Sequence, residues 1–132
     1  MNKDKLDLIF ELQSRFDSEV VNARSLQDIK TEEWIQKESL AMFSEIAELL
    51  SEVNFKWWKN PKEINYDKVK EELIDILHFL TSTCIKVGMD ANEVCARYIE
   101  KNKENFNRQY GKSEKTGYEI ANLELQSENV EK

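Results

Sequence analysis

Two pairs of acidic side chains recur at the same spacing in this sequence and could together hold a cation. Glu45 and Glu48 are three positions apart, and so are Glu72 and Asp75. Residues three apart on an α-helix are surface neighbours, so each pair presents two carboxylates side by side. Four converging carboxylates repel one another unless cations lie between them, and Mg²⁺ prefers such oxygen ligands. The alternative is four solvated acids on helices that are rich in glutamate.

A basic and polar cluster lies further along the chain. Lys101, Asn105 and Arg108 fall at i, i+4 and i+7, so they share one helical face, and Asn102 is adjacent to them in sequence. Cations and amides in this arrangement form a suitable clamp for a polyphosphate. The alternative is an ordinary helix C-terminus, where the helix dipole favours cations.

Aromatic side chains accompany the acidic pairs. Phe79 follows Asp75 by one helical turn, and Trp57 and Trp58 lie between the two pairs. An aromatic ring beside such a site can stack on a nucleobase. His78 is adjacent to Phe79. The alternatives are a structural histidine and tryptophans that only cover the core.

Amphipathic helices are the elements that must position these residues. Apolar residues recur at helical spacing in four segments. The segments are about Asp4 to Ala23, Thr31 to Asn54, Asp67 to Val87 and Asp90 to Asn107. With only 3 Gly and 1 Pro in 132 residues, there is little turn chemistry for a β-rich fold. The predicted fold class is therefore all-α, a bundle of four to five helices.

Several local features refine this prediction. Thr31 is the expected N-cap of the second helix, and Gly88 is expected to end the third. The fourth helix is expected to bury Val94, Cys95, Tyr98 and Ile99. Cys84 and Cys95 are both expected to be buried thiols. Residues 1–118 are predicted to form one domain, and the polar tail 119–132 to be either disordered or packed on a partner subunit.

The overall charge and hydropathy limit the possible partners. A net charge of -7 argues against binding to a nucleic acid backbone. The charged N-terminus does not have the pattern of a signal peptide, and no apolar run approaches membrane-spanning length. We therefore expect a cytoplasmic protein that binds neither nucleic acid nor membrane.

The motifs, taken in order, resemble a known family. EIAELL at 45–50 followed by EELIDILHF at 71–79 resembles the E-x-x-E and E-x-x-D signature of the MazG-like superfamily of all-α NTP pyrophosphatases. FKWWKN at 55–60, IDILHF at 74–79 and YIEKNKENFNRQYG at 98–111 resemble the dimeric dUTPases more closely. The resemblance covers about residues 6–118.

This resemblance implies a homodimer or larger assembly that hydrolyses dUTP to dUMP and pyrophosphate by metal-assisted attack of water on the α-phosphate. It implies that Mg²⁺ is held by Glu45, Glu48, Glu72 and Asp75, and that Glu45 or Glu48 is the catalytic base. Base-binding residues would be Gln13, Asp17, Trp58, His78 and Phe79, with Trp58 and Phe79 on opposite faces of the uracil. Phosphate-binding residues would be Lys101, Asn102, Asn105, Arg108 and Tyr118.

One position departs from the family pattern. The segment LQSRFD at 12–17 matches the stretch that hydrogen-bonds the base, but it ends in Asp17 where the family usually has Asn. An ionised carboxylate only accepts hydrogen bonds, whereas an amide also donates them. Two alternatives to a dUTPase therefore stay open: a related pyrophosphohydrolase of another nucleotide, such as dCTP, and a non-catalytic helical dimer that binds nucleotide.

Overall fold

The computed structural model describes residues 3–120, in which all regular secondary structure is α-helical. The helices are α1 (Lys5–Arg24), α2 (Thr31–Glu52), α3 (Tyr66–Lys86) and α4 (Ala91–Gln109). The all-α prediction is confirmed, and each predicted helix end lies within about two residues of the observed end, the usual scatter of such boundaries. Most of the predicted polar tail lies outside the described residues.

Side-chain caps fix the starts of two helices. The Asp4 carboxylate accepts a hydrogen bond of 2.9 Å from the backbone N–H of Asp7 at the start of α1. The Asn65 side chain accepts bonds from two backbone N–H groups at the start of α3. The prediction that Thr31 caps α2 is wrong, because Thr31 is already the first helical residue. The cap position belongs to Lys30, which makes no side-chain cap bond.

The chain divides into two compact units, the first ending at Ala91 and the second starting at Asn92. Within the first unit, α3 is the central helix, because it packs extensively on α2 and also contacts α1. The second unit contains α4 from Asn92 onward and the segment that follows it. At the end of α3, Gly88 adopts a φ of 88°, the left-handed conformation expected of a glycine that stops a helix.

Much apolar surface is exposed on this chain. Among the described hydrophobic residues, only Ala91 is buried, whereas Leu40 and Phe43 on α2 are each 68% exposed.

The prediction that α4 buries its apolar side chains is wrong for Cys95, which is exposed, and for Tyr98 and Ile99, which are 73% and 55% exposed. Val94 and Cys84 are half-buried. The physical reason is that the described part of the second unit has a single helix and offers little apolar surface to cover it.

The loop between α2 and α3 is closed by one asparagine. The Asn54 side chain donates to the carbonyl oxygen of Lys62 at 2.8 Å and accepts from its backbone N–H at 2.9 Å. The loop thereby presents Trp57 and Trp58, which are 86% and 60% exposed. None of the four helices within residues 3–120 combines the length and the apolar character of a membrane-spanning segment.

Candidate metal and nucleotide site

Three of the four predicted metal ligands meet where α2 packs on α3. Glu45, Glu72 and Asp75 each place one carboxylate oxygen within 4.8 Å of the other two. Glu45 and Glu72 are half-buried and Asp75 is exposed. Glu48, the fourth predicted ligand, is exposed and falls outside this group, but it lies close enough to Glu72 to influence its ionisation. The cluster provides at least three oxygen donors from two helices.

Two carboxylate oxygens of the residues in this cluster lack a hydrogen-bond donor among the described residues. Glu45 Oε2 and Glu72 Oε2 are both buried and unpaired among the described residues. Burial raises the pKa of Glu72 to about 7, with the neighbouring Glu48 and Glu45 carboxyls contributing in the same direction. Burial, followed by the Glu48 charge, also raises the pKa of Glu45. Buried, mutually repelling carboxylate oxygens are the donor set of a hard divalent cation, so these residues fit Mg²⁺.

A cavity of about 570 Å³ adjoins the cluster. This volume is within the range of small-molecule sites. Glu45 and Asp75 contribute to its wall, and Phe16, Trp34 and Phe79 supply aromatic surface. The remaining lining residues come from all three helices of the first unit: Gln13, Asp17, Val20, Val21, Lys37, Glu38, Ala41, His78, Ser82 and Lys86. The acidic cluster therefore opens onto a pocket large enough for a ligand.

Gln13 connects two other predicted base-binding residues. Its Nε2 donates to Asp17 Oδ1 at 2.9 Å, and its Oε1 lies 2.7 Å from His78 Nδ1. Gln13 is only 6% exposed, so these bonds replace water almost completely. Because the amide oxygen can only accept, His78 donates from Nδ1, and this fixes the tautomer of the neutral ring. Helices α1 and α3 are thus joined by a chain of side-chain hydrogen bonds along the cavity wall.

A buried polar network continues from Asp17 into α2 and α3. Ser82 Oγ lies 2.8 Å from Asp17 Oδ2 and 2.6 Å from Glu38 Oε1. Lys86 donates to both Glu38 and Ser82, and its ammonium lies 4.1 Å from the centre of the Trp34 ring. Glu38 and Ser82 are 6% and 2% exposed. A lysine is held here by a buried carboxylate, a hydroxyl and an aromatic face.

Four residues of this network were not among the predicted site residues: Glu38, Ser82, Lys86 and Trp34. The helical spacing nevertheless contained a signal for the first three. Glu38 precedes Glu45 by seven positions, and Ser82 and Lys86 follow Asp75 by seven and eleven. Residues at these intervals share one helical face, so the acidic face of each helix continues into this network. A buried charge on such a face needs a partner on another helix. The sequence of one helix does not reveal which residue of the other helix that partner is.

Trp58 is placed differently from the other predicted base-binding residues. It lies outside the described lining of the 570 Å³ cavity, on the exposed loop. Its ring packs edge-on against Trp57, with centroids 4.7 Å apart, and against Phe55 at 6.4 Å. Phe79 is half-buried and does line the cavity. A base sandwich by Phe79 and Trp58 stays a prediction.

In the second unit, Arg108 is already engaged with its own neighbours. It donates to Glu104 at 3.1 Å and lies 5.4 Å from the centre of the Tyr118 ring. The Ser113 hydroxyl, and then Arg108, hold the pKa of Glu104 below its usual value. Two of the predicted phosphate ligands, Arg108 and Tyr118, are therefore in contact. The other three, Lys101, Asn102 and Asn105, are exposed on α4.

These features define an all-helical protein with an acidic, metal-compatible centre beside a ligand-sized cavity. Comparison with known proteins identifies the family: a model of a dUTPase family matches residues 5–93, and the chain belongs to that family.

Two relatives come from bacteriophages. The dCTP pyrophosphatase of Enterobacteria phage T4 is 45% identical over 42 residues, which cover 32% of this chain and 25% of the relative. The dCTP pyrophosphatase of Enterobacteria phage LZ5 is 35% identical over 74 residues, covering 56% of this chain and 43% of the relative. The chain thus spans less than half the length of these curated relatives. No solved structure matches the chain significantly.

Proposed function

We propose that this protein is a magnesium-dependent nucleoside triphosphate pyrophosphatase acting on a pyrimidine deoxynucleotide. The observation that carries the proposal is the cluster of Glu45, Glu72 and Asp75, of which Glu45 and Asp75 line the 570 Å³ cavity. Two unpaired buried oxygens in the cluster supply a reason for a cation to bind. Membership of the dUTPase family and the names of the phage relatives support a nucleotide substrate and the release of pyrophosphate.

In the proposed reaction, water adds to the α-phosphorus, the bond from that phosphorus to the bridging oxygen breaks, and a nucleoside monophosphate and pyrophosphate leave. Glu45, Glu72 and Asp75, with Glu48 beside them, would hold the metal. Bound Mg²⁺ would neutralise phosphate charge and lower the pKa of the attacking water. Glu45 or Glu48 accepts the proton from that water. Phe79, which lines the cavity, stacks on the base.

The phosphate-binding role of the second unit rests on the family resemblance. We infer that Lys101, Asn102, Asn105, Arg108 and Tyr118 contact the polyphosphate. Exposed cations and amides on one helix are suited to this task. Arg108 would contact phosphate from a geometry already fixed by Glu104, which reduces the side-chain entropy lost on binding.

Two substrates fit the proposal. The family assignment favours dUTP. The carboxylate at position 17 favours dCTP, because Asp17 only accepts hydrogen bonds and cytosine carries an amino donor where uracil carries a carbonyl oxygen. The names of the two phage relatives also favour dCTP. Within the cavity, Asp17 is the residue through which the two nucleotides are best distinguished.

We also infer that the protein works as a homodimer or larger assembly. The support is the apolar surface that a single chain leaves exposed, including Phe16 at 62% and Leu40 and Phe43 at 68%. Monomeric proteins rarely expose so much apolar surface, whereas self-association buries it.

The function is tested by measuring pyrophosphate release from every common NTP and dNTP, with Mg²⁺ and with excess chelator. We expect release from dUTP or dCTP with Mg²⁺ and none with chelator. Asp75→Asn should abolish most turnover, whereas Asp67→Asn, an exposed aspartate at the start of the same helix, should not. Full activity in chelator, or a well-folded protein that releases no pyrophosphate from any nucleotide, would contradict the proposal.

A further inference from the structure

Several groups around Asp17 compete to donate hydrogen bonds to its carboxylate. Its Oδ1 is bonded to Gln13, its Oδ2 lies 2.8 Å from the Ser82 hydroxyl, and the Lys86 ammonium is 3.8 Å from Oδ2. If both the hydroxyl and the ammonium bonded Oδ2, this oxygen would have little remaining capacity for a ligand. The group that holds the Ser82 hydroxyl and the Lys86 ammonium away from Oδ2 therefore controls what Asp17 can bind.

Glu38 competes with Asp17 for hydrogen bonds from Ser82 and Lys86. Its Oε1 accepts from Lys86 and lies 2.6 Å from Ser82 Oγ, closer than Asp17 Oδ2 does. A serine hydroxyl has one proton, so Ser82 donates to only one of the two carboxylates at a time. Lys86 donates to Ser82 Oγ at 2.8 Å and leaves the hydroxyl proton free to point either way. Ser82 can therefore turn to Glu38 and still keep a buried hydrogen bond.

We propose that Glu38 is a positioning residue for base selection: it holds Lys86 and the Ser82 hydroxyl so that Asp17 keeps an oxygen free for the exocyclic amino group of cytosine. The inference rests on the proposed function and deepens it by naming what sets the preference between the two pyrimidines. When a donor on the ligand hydrogen-bonds Asp17 Oδ2, the Ser82 hydroxyl donates to Glu38 instead. No buried group is then left without a partner. A carbonyl oxygen in the same place meets a negatively charged acceptor.

The energetic basis is the cost of an unpaired buried group. Asp17 and Lys86 have side chains that are only 17% and 16% exposed, so water compensates poorly for a missing partner. A site built around a hydrogen bond discriminates strongly against a ligand that cannot make it. Cytosine satisfies the acceptor at Asp17, whereas uracil presents an oxygen at the corresponding ring position.

The test compares three variants by the ratio of kcat/KM for dCTP to kcat/KM for dUTP. In Glu38→Met, Lys86 has lost its carboxylate partner and moves onto Asp17, so the dCTP preference should fall by about tenfold. Glu38→Gln retains a carbonyl oxygen for Lys86 and should lose less. In the double variant Glu38→Met and Lys86→Met, no lysine competes for Asp17, although Ser82 still donates to it, so part of the preference should return.

Recovery in the double variant separates this role from a general effect on folding, because a merely structural loss would not be reversed by a second substitution. Lys68→Met serves as the control and should leave the ratio unchanged, because Lys68 is an exposed lysine on α3, the helix that carries Lys86. A wild-type protein that does not prefer dCTP, a Glu38→Met variant with an unchanged ratio, or a double variant as impaired as the single one would each overturn the inference.

A binding measurement separates the failure of this inference from the failure of the proposed function. Calorimetric titration of the same variants with dCMP and dUMP requires no catalysis. If the wild type releases no pyrophosphate, the proposed function fails, and the ratio of the two affinities still decides the role of Glu38. Tighter binding of dCMP that is lost in Glu38→Met and regained in part in the double variant supports it. Equal binding, or no binding of either nucleotide, overturns it.

Discussion

Glu45 on α2 and Glu72 on α3 each bury one carboxylate oxygen, Oε2, that has no hydrogen-bond donor among the described residues. Two such oxygens at a helix contact are unfavourable in a protein without a cation, because a buried acceptor loses its water. The same arrangement favours a divalent cation, which replaces several hydrogen bonds with coordination. We therefore expect metal binding to be coupled to the packing of α2 on α3.

The first prediction concerns metal binding independent of catalysis. Mg²⁺ should raise the Tm of the wild-type protein, because a ligand that binds only the folded state stabilises it. Glu72→Gln removes one charge from the cluster while preserving its shape, so the Mg²⁺-dependent increase should disappear. Differential scanning calorimetry with and without Mg²⁺ measures this. An equal increase in both proteins would exclude Glu72 as a ligand.

The second prediction concerns pH in the absence of metal. The pKa of Glu72 is raised from 4.5 to about 7 in the folded protein, so between these values the folded state holds a proton that the unfolded state has released. Stability from this group is complete below the lower value and is lost as the pH rises through the higher one. The metal-free protein should thus unfold more easily at about pH 8 than at about pH 5, as far as Glu72 contributes.

This contribution is isolated by comparing the urea midpoints of the wild type and Glu72→Gln at both pH values in chelator. Any other groups that change protonation between these pH values are common to both proteins. The wild-type midpoint should fall more between the two pH values than the midpoint of the variant. Identical pH dependence in the two proteins would show that Glu72 ionises normally.

The third prediction concerns the buried amide of Gln13. Gln13→Ala removes the partner of both Asp17 Oδ1 and His78 Nδ1, so the free energy of unfolding should fall by about 1–3 kcal/mol. Urea denaturation measures this change. Gln36→Ala, at an exposed position on α2, makes the same substitution without burial and should change stability by no more than about 0.5 kcal/mol. Equal effects of the two substitutions would mean that the Gln13 bonds contribute nothing.

The fourth prediction concerns assembly. Leu40 and Phe43 lie three positions apart on α2, share one face and are both largely exposed. If this face lies in a subunit contact, Phe43→Glu should shift the protein toward the monomer, because burying a carboxylate is costly. Light scattering over a concentration series measures the shift. Lys68→Glu, an exposed change on α3, is the control. A wild type that is monomeric at every concentration would contradict the prediction.

The local features of this protein were predictable from its sequence. The four helices lie within about two residues of their predicted ends, and Gly88 ends α3 as expected. The spacing of Glu72 and Asp75 placed both on one helical face. These features follow from hydrogen bonds and side-chain periodicity within a few residues, so a single segment contains the information. The predicted Thr31 cap was wrong because helix ends depend on one or two residues, where the periodic signal is weakest.

Contacts between helices were decided by the tertiary structure. Ser82 and Glu38 are 44 positions apart, and His78 and Gln13 are 65 apart. Nothing in either segment specifies which of its polar residues will meet the other helix, because that depends on the angle and register at which α1, α2 and α3 pack. The same packing buries the Oε2 atoms of Glu45 and Glu72 and leaves Glu48 exposed. The sequence thus determined which faces carry the acidic and polar residues, and the packing of those faces determined which of them became a buried network.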